Sequence, residues 1–341
     1  MINTVYRLAA ARKFEIAFED IELFGENTIV RPTHLSICNA DMRYYLGTRD
    51  PKVMAEKLPM ALIHEGVGEV VFDPTGRFNT GDKVAMVPNM PVEENDVIAE
   101  NYIRSSKFCG STMDGFLQEY VSISPKRLVL LPQNINMNVA AFTEIVSVSV
   151  HAIHRFDKIA HSCRRRIGVW GDGNLGYITS LFIKKMFPET EVYIFGTTHD
   201  KLAYFTFADG TFLVNEIPKD FWVDHAFECV GGNGSPVAIE QIIATVMPEA
   251  TVSILGVSEY PVPINTRMIL EKGLRFFGSS RSGVKDFEKT VELYKKYPEI
   301  VDYLGNIVSS VNTICSVADL KAAFEKDTQK AFGKTIMKWE K

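Results

Sequence analysis

The chain has 341 residues, the usual length of two domains, and a formal net charge of −5 at pH 7. Hydrophobic residues make up 46% of the sequence and charged residues 23%, as in an ordinary globular protein. The acidic balance argues against a nucleic-acid-binding protein, whose surface would show as a basic face. The one basic run, at 164–166, precedes an apolar strand pattern and is interpreted as a solvated loop.

Cysteine usage and hydropathy indicate a cytoplasmic location. The five cysteines are odd in number and widely scattered, which favours a reducing compartment over a disulfide framework. The N-terminal stretch lacks the continuous apolar core of a signal peptide. No apolar run approaches the roughly 18–20 residues of a membrane span. We therefore expect a soluble cytoplasmic protein that binds neither nucleic acid nor membrane.

Short β segments separated by turn residues fill residues 1–135 and predict a partly open barrel. From about residue 137, apolar residues recur at helical spacing behind Asn138, which is predicted to cap that helix. Short apolar runs then alternate with helical patterns, beginning with RIGVW at 166–170. This alternation is typical of a doubly wound parallel sheet. The chain ends in GKTIMKWEK, a predicted strand that rejoins the first domain.

These two kinds of sequence pattern predict an α/β protein in which a nucleotide-binding domain is inserted into a β-rich domain. The β-rich domain is predicted to comprise residues 1–149 and 286–341, and the nucleotide-binding domain residues 150–285. The sequence shows no internal repeat and no low-complexity segment.

The sequence VWGDGNLG places Gly171, Gly173 and Gly176 in a G-x-G-x-x-G pattern between a predicted strand and a predicted helix. In this setting the pattern indicates a dinucleotide-binding turn. Its glycines let the backbone approach a pyrophosphate at the start of the helix, here at Asn174 and Leu175. A tight turn without a ligand is the alternative.

The residues after the second strand of this domain favour NADP(H) over NAD(H). An NAD site requires Asp or Glu at the end of that strand, but the expected position is Gly196. A carboxylate there would repel a 2′-phosphate, whereas Thr197, Thr198 and Lys201 can hold one. If the strand ended one turn later, Asp200 would instead supply the acid.

Thiol, imidazole and carboxylate groups recur in the first half of the chain, at Cys38, His64, Glu65 and Glu144. A catalytic zinc takes three protein ligands of these types and keeps one position open. Taken singly, a cysteine or histidine is more often part of a core. Glu144 is harder to dismiss, because an ionisable group in an apolar helical run needs a partner.

These residues resemble the zinc-dependent medium-chain alcohol and polyol dehydrogenases over essentially the whole chain. The matching motifs are Cys38 with Asp41 in C-x-x-D, HEGVGEVV from His64, GDKV at 81–84 and DGFLQEYV at 114–121. The resemblance implies a GroES-like catalytic domain beside a Rossmann domain, and one zinc bound by Cys38, His64 and Glu144. Because neighbours on a strand diverge, Glu65 is expected to be a partner of the ligands or an exchangeable fourth ligand.

The chain departs from that family pattern at three places. Ile63 replaces the glycine that usually precedes His-Glu. The region 90–110, which often carries four cysteines on a structural zinc, contains only Cys109, so no structural zinc is expected. Ala40 and Arg43 stand where the family has the hydroxyl and the histidine of a proton relay. The proton must then come by another path, for which zinc-bound water, Glu65 and the substrate's own hydroxyls are the alternatives.

Arg43 points to a phosphorylated substrate. A guanidinium is always protonated and shuttles protons poorly, but it is a good bidentate partner for phosphate. Further candidates for the same role are Arg49, Lys107 and Arg281. Alternatively, Arg43 pairs with Asp41 or Glu65, or faces solvent.

Within the family, the chain resembles the ribulose-5-phosphate reductases, through segments such as SICNADMRYYLGTRD at 36–50 and GSSRSG at 278–283. This resemblance implies reduction of D-ribulose 5-phosphate to D-ribitol 5-phosphate by NADPH, for CDP-ribitol and teichoic acid or capsule synthesis, beside a cytidylyltransferase. It also implies a homodimer formed through the strand near 274–280, with a tetramer as the alternative. Two other functions remain open: a dehydrogenase of an unphosphorylated polyol, and a non-catalytic NADP-binding relative.

Overall fold

The computed structural model describes residues 1–23 and 25–341. The two largest sheets in these residues are one that is largely antiparallel and one that is wholly parallel. Contacts divide these residues into two units. The first unit comprises 1–147 with 281–341, and the second unit comprises 148–280.

The secondary structure follows the chain in three stretches. Up to residue 159 the elements are β1 (Ile2–Ala10), β2 (Lys13–Asp20), β3 (Thr28–Ser36), α1 (Asn39–Tyr45), α2 (Pro51–Lys57), β4 (Met60–Ala61), β5 (Glu65–Phe72), β6 (Lys83–Met86), β7 (Asn89–Met90), β8 (Lys107–Phe108), β9 (Val121–Ile123), β10 (Leu128–Leu130), α3 (Met137–Ala140) and α4 (Thr143–Ile159). The middle stretch contains β11 (Arg166–Trp170), α5 (Asn174–Met186), β12 (Glu191–Gly196), α6 (His199–Leu202), β13 (Gly210–Leu213), β14 (His225–Glu228), α7 (Ser235–Thr245), β15 (Thr251–Ile254), α8 (Thr266–Lys272) and β16 (Arg275–Gly278). The last stretch contains α9 (Val284–Lys296), α10 (Glu299–Gly305), β17 (Val308–Ile314), α11 (Val317–Gln329) and β18 (Lys334–Trp339). In these residues we find no helix that is both long and apolar enough to cross a lipid bilayer.

The first unit places β3 at the centre of a seven-stranded sheet of order β10-β6-β5-β3-β18-β17, with β9 also pairing to β3. On one side of β3, Ser36 lies opposite Glu65 of β5. On the other side, Leu35 lies opposite Met337 of β18. The predicted C-terminal strand that rejoins the first domain is therefore confirmed. This register brings Glu65 and Lys334 to the end of β3 that leads into Cys38.

The second unit contains six parallel strands in the order β13-β12-β11-β14-β15-β16. Counted from its first strand this is 3-2-1-4-5-6, the order of the Rossmann fold. The predicted doubly wound sheet is therefore confirmed. Its core includes the fully buried rings of Trp170 and Phe195, which stack with their centroids 3.8 Å apart.

The predicted helix cap near residue 137 is wrong by two residues. Asn136, rather than Asn138, caps α3, because its side-chain oxygen accepts a hydrogen bond of 3.0 Å from the Asn138 backbone N–H. Both asparagines suit a cap by residue type. The cap at Asn136 places Val139 and Ala140 of the first turn in the core.

His225 brings a titratable ring into the parallel sheet. The residue is fully buried on β14, and its Nδ1 accepts a hydrogen bond of 3.0 Å from the Thr251 backbone N–H. Because an accepting ring nitrogen is unprotonated, this contact holds the imidazole neutral. Burial, with a smaller contribution from His161, lowers the pKa of His225 to about 4.

We expect His225 to make the stability of the protein depend on pH. An unfolded histidine binds a proton near pH 6.5, whereas folded His225 does so only near pH 4. The contribution of neutral His225 to the free energy of unfolding is complete above about pH 6.5. It is lost as the pH falls from there to about 4. His225→Asn keeps an acceptor for Thr251 without titrating there. The difference in free energy of unfolding between wild type and variant should shrink by about 3 kcal/mol between pH 7 and pH 4 in denaturant titrations. A constant difference would contradict this.

Candidate metal centre and coenzyme loop

Three of the four predicted zinc ligands lie together in the first unit. Ligand atoms of Cys38, His64 and Glu65 all lie within 4.8 Å of one another. Cys38 follows β3 and forms the N-cap of α1, whereas His64 and Glu65 stand at the start of β5, which pairs with β3. The thiol is half-buried and the other two side chains are buried. Thiol, imidazole and carboxylate are the donor types that bind zinc.

The fourth predicted ligand, Glu144, lies in the first turn of α4 and is 6% exposed. It is outside the 4.8 Å group found among the described residues. Burial raises the pKa of Glu144 to about 7, although attraction to His64 opposes the rise. Repulsion from Glu65 adds to it. Glu144 is therefore close enough to the group to sense its charges.

Asp41 explains the C-x-x-D spacing in physical terms. Its carboxylate is fully buried and accepts hydrogen bonds of 3.0 Å from the backbone N–H groups of Cys38 and Ile63. One of its oxygens also lies 3.7 Å from Nδ1 of His64. A single carboxylate thus fixes both chain segments that carry the donors and places a negative charge beside the imidazole.

The charges of this cluster fit a bound cation. Burial acts to lower the pKa of His64, but Asp41 and Cys38 outweigh it and raise that pKa well above its ordinary value. Burial also raises the pKa of Asp41. Nδ1 of His64 is buried and has no hydrogen-bond partner in the part of the chain that the structure describes. Several buried acidic groups around one imidazole require a counter-charge, which a zinc ion would supply.

Contrary to the prediction, the His64 and Glu65 side chains do not point to opposite faces of a strand. β5 begins only at Glu65, and the preceding Ile63 has a φ of +72°, a left-handed conformation that β-branched residues rarely adopt. The backbone therefore turns just before His64, and the two side chains join one cluster. This turn explains why glycine would suit position 63. Ile63 is held there by Asp41 and by a hydrogen bond of 2.7 Å from the Phe116 N–H to its carbonyl.

Sequence reasoning missed Lys334, the buried partner of Glu65. Lys334 is 2% exposed, and its Nζ lies 2.9 Å and 2.7 Å from the two carboxylate oxygens of Glu65. The same ammonium donates a 3.0 Å hydrogen bond to the carbonyl of Ile37, next to Cys38. Because 269 residues separate Lys334 from Glu65, no local pattern could reveal the pair.

Arg281 is linked to the cluster through an aromatic ring. Its guanidinium carbon lies 4.6 Å from the centroid of Phe108, and that ring lies 5.4 Å from the ring of His64. Burial lowers the pKa of Arg281, whereas attraction to Glu144 opposes this. Arg281 is thus a cation close to the predicted metal ligands.

The other predicted phosphate-binding residues lie elsewhere in the first unit. Arg43 is half-buried in the last turn of α1, and Arg49 lies with its guanidinium carbon 4.7 Å from the centroid of Tyr44. Lys107 is exposed on β8, directly before Phe108.

In the second unit, the G-x-G-x-x-G turn lies between β11 and α5 as predicted. Gly171 has a φ of +126°, and a Cβ on Gly176 would lie 1.9 Å from the Gly171 carbonyl oxygen. A Cβ on Gly173 would have no neighbour within 4 Å. The helix start at Asn174 and Leu175 therefore has open space beside it, as a pyrophosphate would need.

The second strand, β12, ends at Gly196 as predicted, and Asp200 lies beyond it on α6. Thr197 and Thr198 are exposed. A Cβ on Gly196 would lie 2.7 Å from Cβ of Asp172. Packing therefore requires glycine at this position, a reason that the sequence-based preference for NADP(H) did not include.

Glu228 is a buried carboxylate at the end of β14 that orders two neighbouring loops. It accepts hydrogen bonds from the backbone N–H groups of Val230 at 3.0 Å, Gly231 at 2.8 Å and Gly256 at 3.0 Å. The loops after β14 and β15 are thus tied together at the carboxyl edge of the sheet, where ligands of such sheets bind.

Comparison with known proteins assigns the chain to a family. Residues 25–133 match the alcohol dehydrogenase GroES-like domain. The chain is 56% identical to the ribulose-5-phosphate reductase of Bacillus spizizenii, with complete coverage of both chains. It belongs to the ribulose-5-phosphate reductases of the medium-chain dehydrogenase family. Ribulose-5-phosphate reductase 1 of Staphylococcus aureus is 52% identical over 99% of both chains.

Solved structures agree with this assignment. S. aureus TarJ in complex with NADPH has a TM-score of 0.90 and 47% identity, with complete coverage of both chains. L-Idonate 5-dehydrogenase from Escherichia coli has a TM-score of 0.86 at 20% identity, covering 99% of this chain and 98% of that one, and shows the fold alone. The predicted combination of a GroES-like domain with a Rossmann domain is therefore confirmed for this reductase family member.

Proposed function

We propose that the chain reduces D-ribulose 5-phosphate to D-ribitol 5-phosphate with NADPH at a single zinc ion. The observation that carries the activity is the 56% identity to a ribulose-5-phosphate reductase over the full length. NADPH is supported by the TarJ complex, whose chain is 47% identical. The open glycine turn after β11 supports a dinucleotide independently of the relatives.

Cys38, His64 and Glu144 would hold the zinc, with Glu65 as a neighbour or exchangeable ligand. The grouping of Cys38, His64 and Glu65 within 4.8 Å supports the first two ligands and the nearness of Glu65. Glu144 lies outside that group but is close enough to interact with the charges of His64 and Glu65. When bound, zinc supplies Lewis acidity to the ketone oxygen and the nicotinamide supplies the hydride. No structural zinc is proposed, because residues 90–110 contain one cysteine, Cys109, whereas a structural zinc takes four protein ligands.

The residues around this set would prepare the reaction rather than carry it out. Asp41 fixes Cys38 and His64 through backbone and charge contacts. Lys334 supplies the counter-charge of the buried Glu65 carboxylate. Arg43 stands in the relay position and cannot pass a proton, because a guanidinium stays protonated.

Arg281 is the residue whose substitution tests the phosphorylated substrate. We expect Arg281→Ala to lower kcat/KM for D-ribulose 5-phosphate about 100-fold, the cost of two charge-assisted hydrogen bonds. Rates with unphosphorylated D-ribulose should change little. Arg77→Ala is the matched control, because Arg77 also lies over a phenylalanine, Phe78, at 5.4 Å. Arg43→Ala is measured alongside.

Initial rates with both sugars separate the possible outcomes. Equal losses on both substrates would assign Arg281 to the fold rather than to the phosphate. Wild-type rates that are equal for the free sugar and its 5-phosphate would favour an unphosphorylated polyol as the substrate.

We further propose that the protein is a cytoplasmic homodimer. A cytidylyltransferase would convert its product to CDP-ribitol for the synthesis of teichoic acid or capsule. The edge strand β16 supports the dimer, because β15 is its one neighbour among the described strands. Exposed apolar residues precede it, including Val257 (64%), Tyr260 (74%) and Leu270 (81%). A second copy would cover such an edge. Light scattering should give twice the 38.3 kDa chain mass, and a monomer would contradict the dimer.

A further inference from the structure

We propose that Asp172 is a positioning residue for the 2′-phosphate of NADPH, an inference that rests on the proposed use of NADPH. Asp172 lies between Gly171 and Gly173 of the glycine turn and is 8% exposed. Its Oδ2 accepts hydrogen bonds from the backbone N–H of Thr197 at 2.6 Å, from the Thr197 hydroxyl at 2.9 Å and from the Thr198 N–H at 3.3 Å.

These bonds connect the glycine turn to the segment after the neighbouring strand. β11 and β12 run parallel, with Trp170 opposite Phe195, so both segments leave the same edge of the sheet. An acid at the end of the second strand would bind ribose hydroxyls in an NAD site. Here the carboxylate comes from the glycine turn, and its Oδ2 is already taken by Thr197 and Thr198. Asp172 therefore holds the backbone of Thr197 and Thr198, the segment directly after β12.

The hydrogen bonds from Thr197 and Thr198 to Asp172 require glycine at position 196 for steric reasons. A Cβ at position 196 would lie 2.7 Å from Cβ of Asp172 and 3.0 Å from its Oδ2. An acidic side chain at 196 and the inward reach of Asp172 thus exclude each other. Glycine at position 196 therefore means both that the acid of an NAD site is absent and that there is space for the Asp172 side chain.

After these contacts are made, the Lys201 ammonium and the Thr198 hydroxyl lie just beyond the end of β12. Nζ of Lys201 lies 3.9 Å from Oδ1 of Asp172, so the second carboxylate oxygen is offset by an ammonium. The Thr198 side chain makes no capping hydrogen bond with α6, and Thr198 is exposed. With the charge of Asp172 offset in this way, the Thr198 hydroxyl and Lys201 can bind a phosphate dianion.

The test compares NADPH and NADH binding, followed by nicotinamide fluorescence, in the full-length protein. Asp172→Ala should raise the Kd for NADPH about tenfold or more, because the Thr197–Thr198 segment and Lys201 lose their anchor. The Kd for NADH, which lacks the 2′-phosphate, should rise less than about threefold. Asp172→Asn keeps one acceptor oxygen for the Thr197 N–H and should restore most of the affinity for NADPH.

Asp209→Asn is the matched control. The Asp209 carboxylate accepts a 2.8 Å hydrogen bond from the Val192 N–H at the start of the same strand and pairs with Lys184. This variant should lower the melting temperature without changing the ratio of NADPH to NADH affinity.

Three results would overturn the role of Asp172. Equal losses for both coenzymes would show a general disruption of the turn. Unchanged or tighter NADPH binding in Asp172→Ala would show that the carboxylate repels the phosphate instead of positioning its ligands. A wild-type protein that binds both coenzymes equally would contradict the proposed NADPH dependence itself, and this role with it; that outcome is visible before any variant is made.

Discussion

Cys38→Ser is expected to remove the bound zinc and to lower kcat about a thousandfold, since Lewis-acid activation of a carbonyl contributes several kcal/mol. Cys38 belongs to the group with His64 and Glu65, and its thiol is placed by the α1 cap. A serine hydroxyl does not ionise at neutral pH and cannot replace a thiolate ligand. Elemental analysis should give one zinc per wild-type chain and none per variant chain.

Cys315→Ser is the control for this experiment. Cys315 is an exposed cysteine of the same unit, and its substitution should leave zinc content and kcat unchanged. A Cys38→Ser protein that keeps both its zinc and its rate would show that Cys38 is not a ligand. Two zinc ions per wild-type chain would contradict the absence of a structural site.

Lys334→Met is expected to lower the free energy of unfolding by about 3–5 kcal/mol, the usual cost of leaving one buried charge without its partner. Glu65 is fully buried, and Lys334 supplies its counter-charge at 2.7 Å. The double variant Lys334→Met with Glu65→Met should recover most of this loss, because it removes both members of the buried ion pair and leaves neither charge without its partner. Denaturant titration of the metal-free proteins measures each value.

Lys338→Met tests whether burial causes this effect. Lys338 lies on the same strand, β18, but is exposed and pairs with Glu340. Its substitution should cost less than about 1 kcal/mol, as for other exposed ion pairs. If the Lys334 and Lys338 variants lost equal stability, or if the double variant were no more stable than Lys334→Met, the buried pair would not be the source.

The two coenzyme segments, the glycine turn at 171–176 and residues 196–201 at the end of β12, were largely predictable because their signals are local. The G-x-G-x-x-G turn and the end of β12 at Gly196 both follow from patterns a few residues long. Asp172 was not predicted because its partners, Thr197 and Thr198, lie 25 and 26 residues away, directly after the neighbouring strand β12. Only the strand pairing brings the two segments together.

The metal centre was predictable in its residue types but not in its geometry. Cys38, His64 and Glu65 do converge, but the predicted divergence of the last two assumed that the strand began before His64. The left-handed turn at Ile63 could not be read from its residue type, because β-branched residues rarely adopt a positive φ, and only the glycine usual at this position in the family pointed to it. The partner Lys334 lies near the other end of the chain and depends on the pairing of β18 with β3.

The most direct test of the proposed function is the initial rate of NADPH oxidation with D-ribulose 5-phosphate, before and after removal of zinc by a chelator. We expect rapid oxidation that is lost on chelation, restored by zinc, and much slower with NADH or with unphosphorylated D-ribulose. An undiminished rate in the zinc-free protein, or no NADPH oxidation with D-ribulose 5-phosphate, would contradict a zinc-dependent ribulose-5-phosphate reductase.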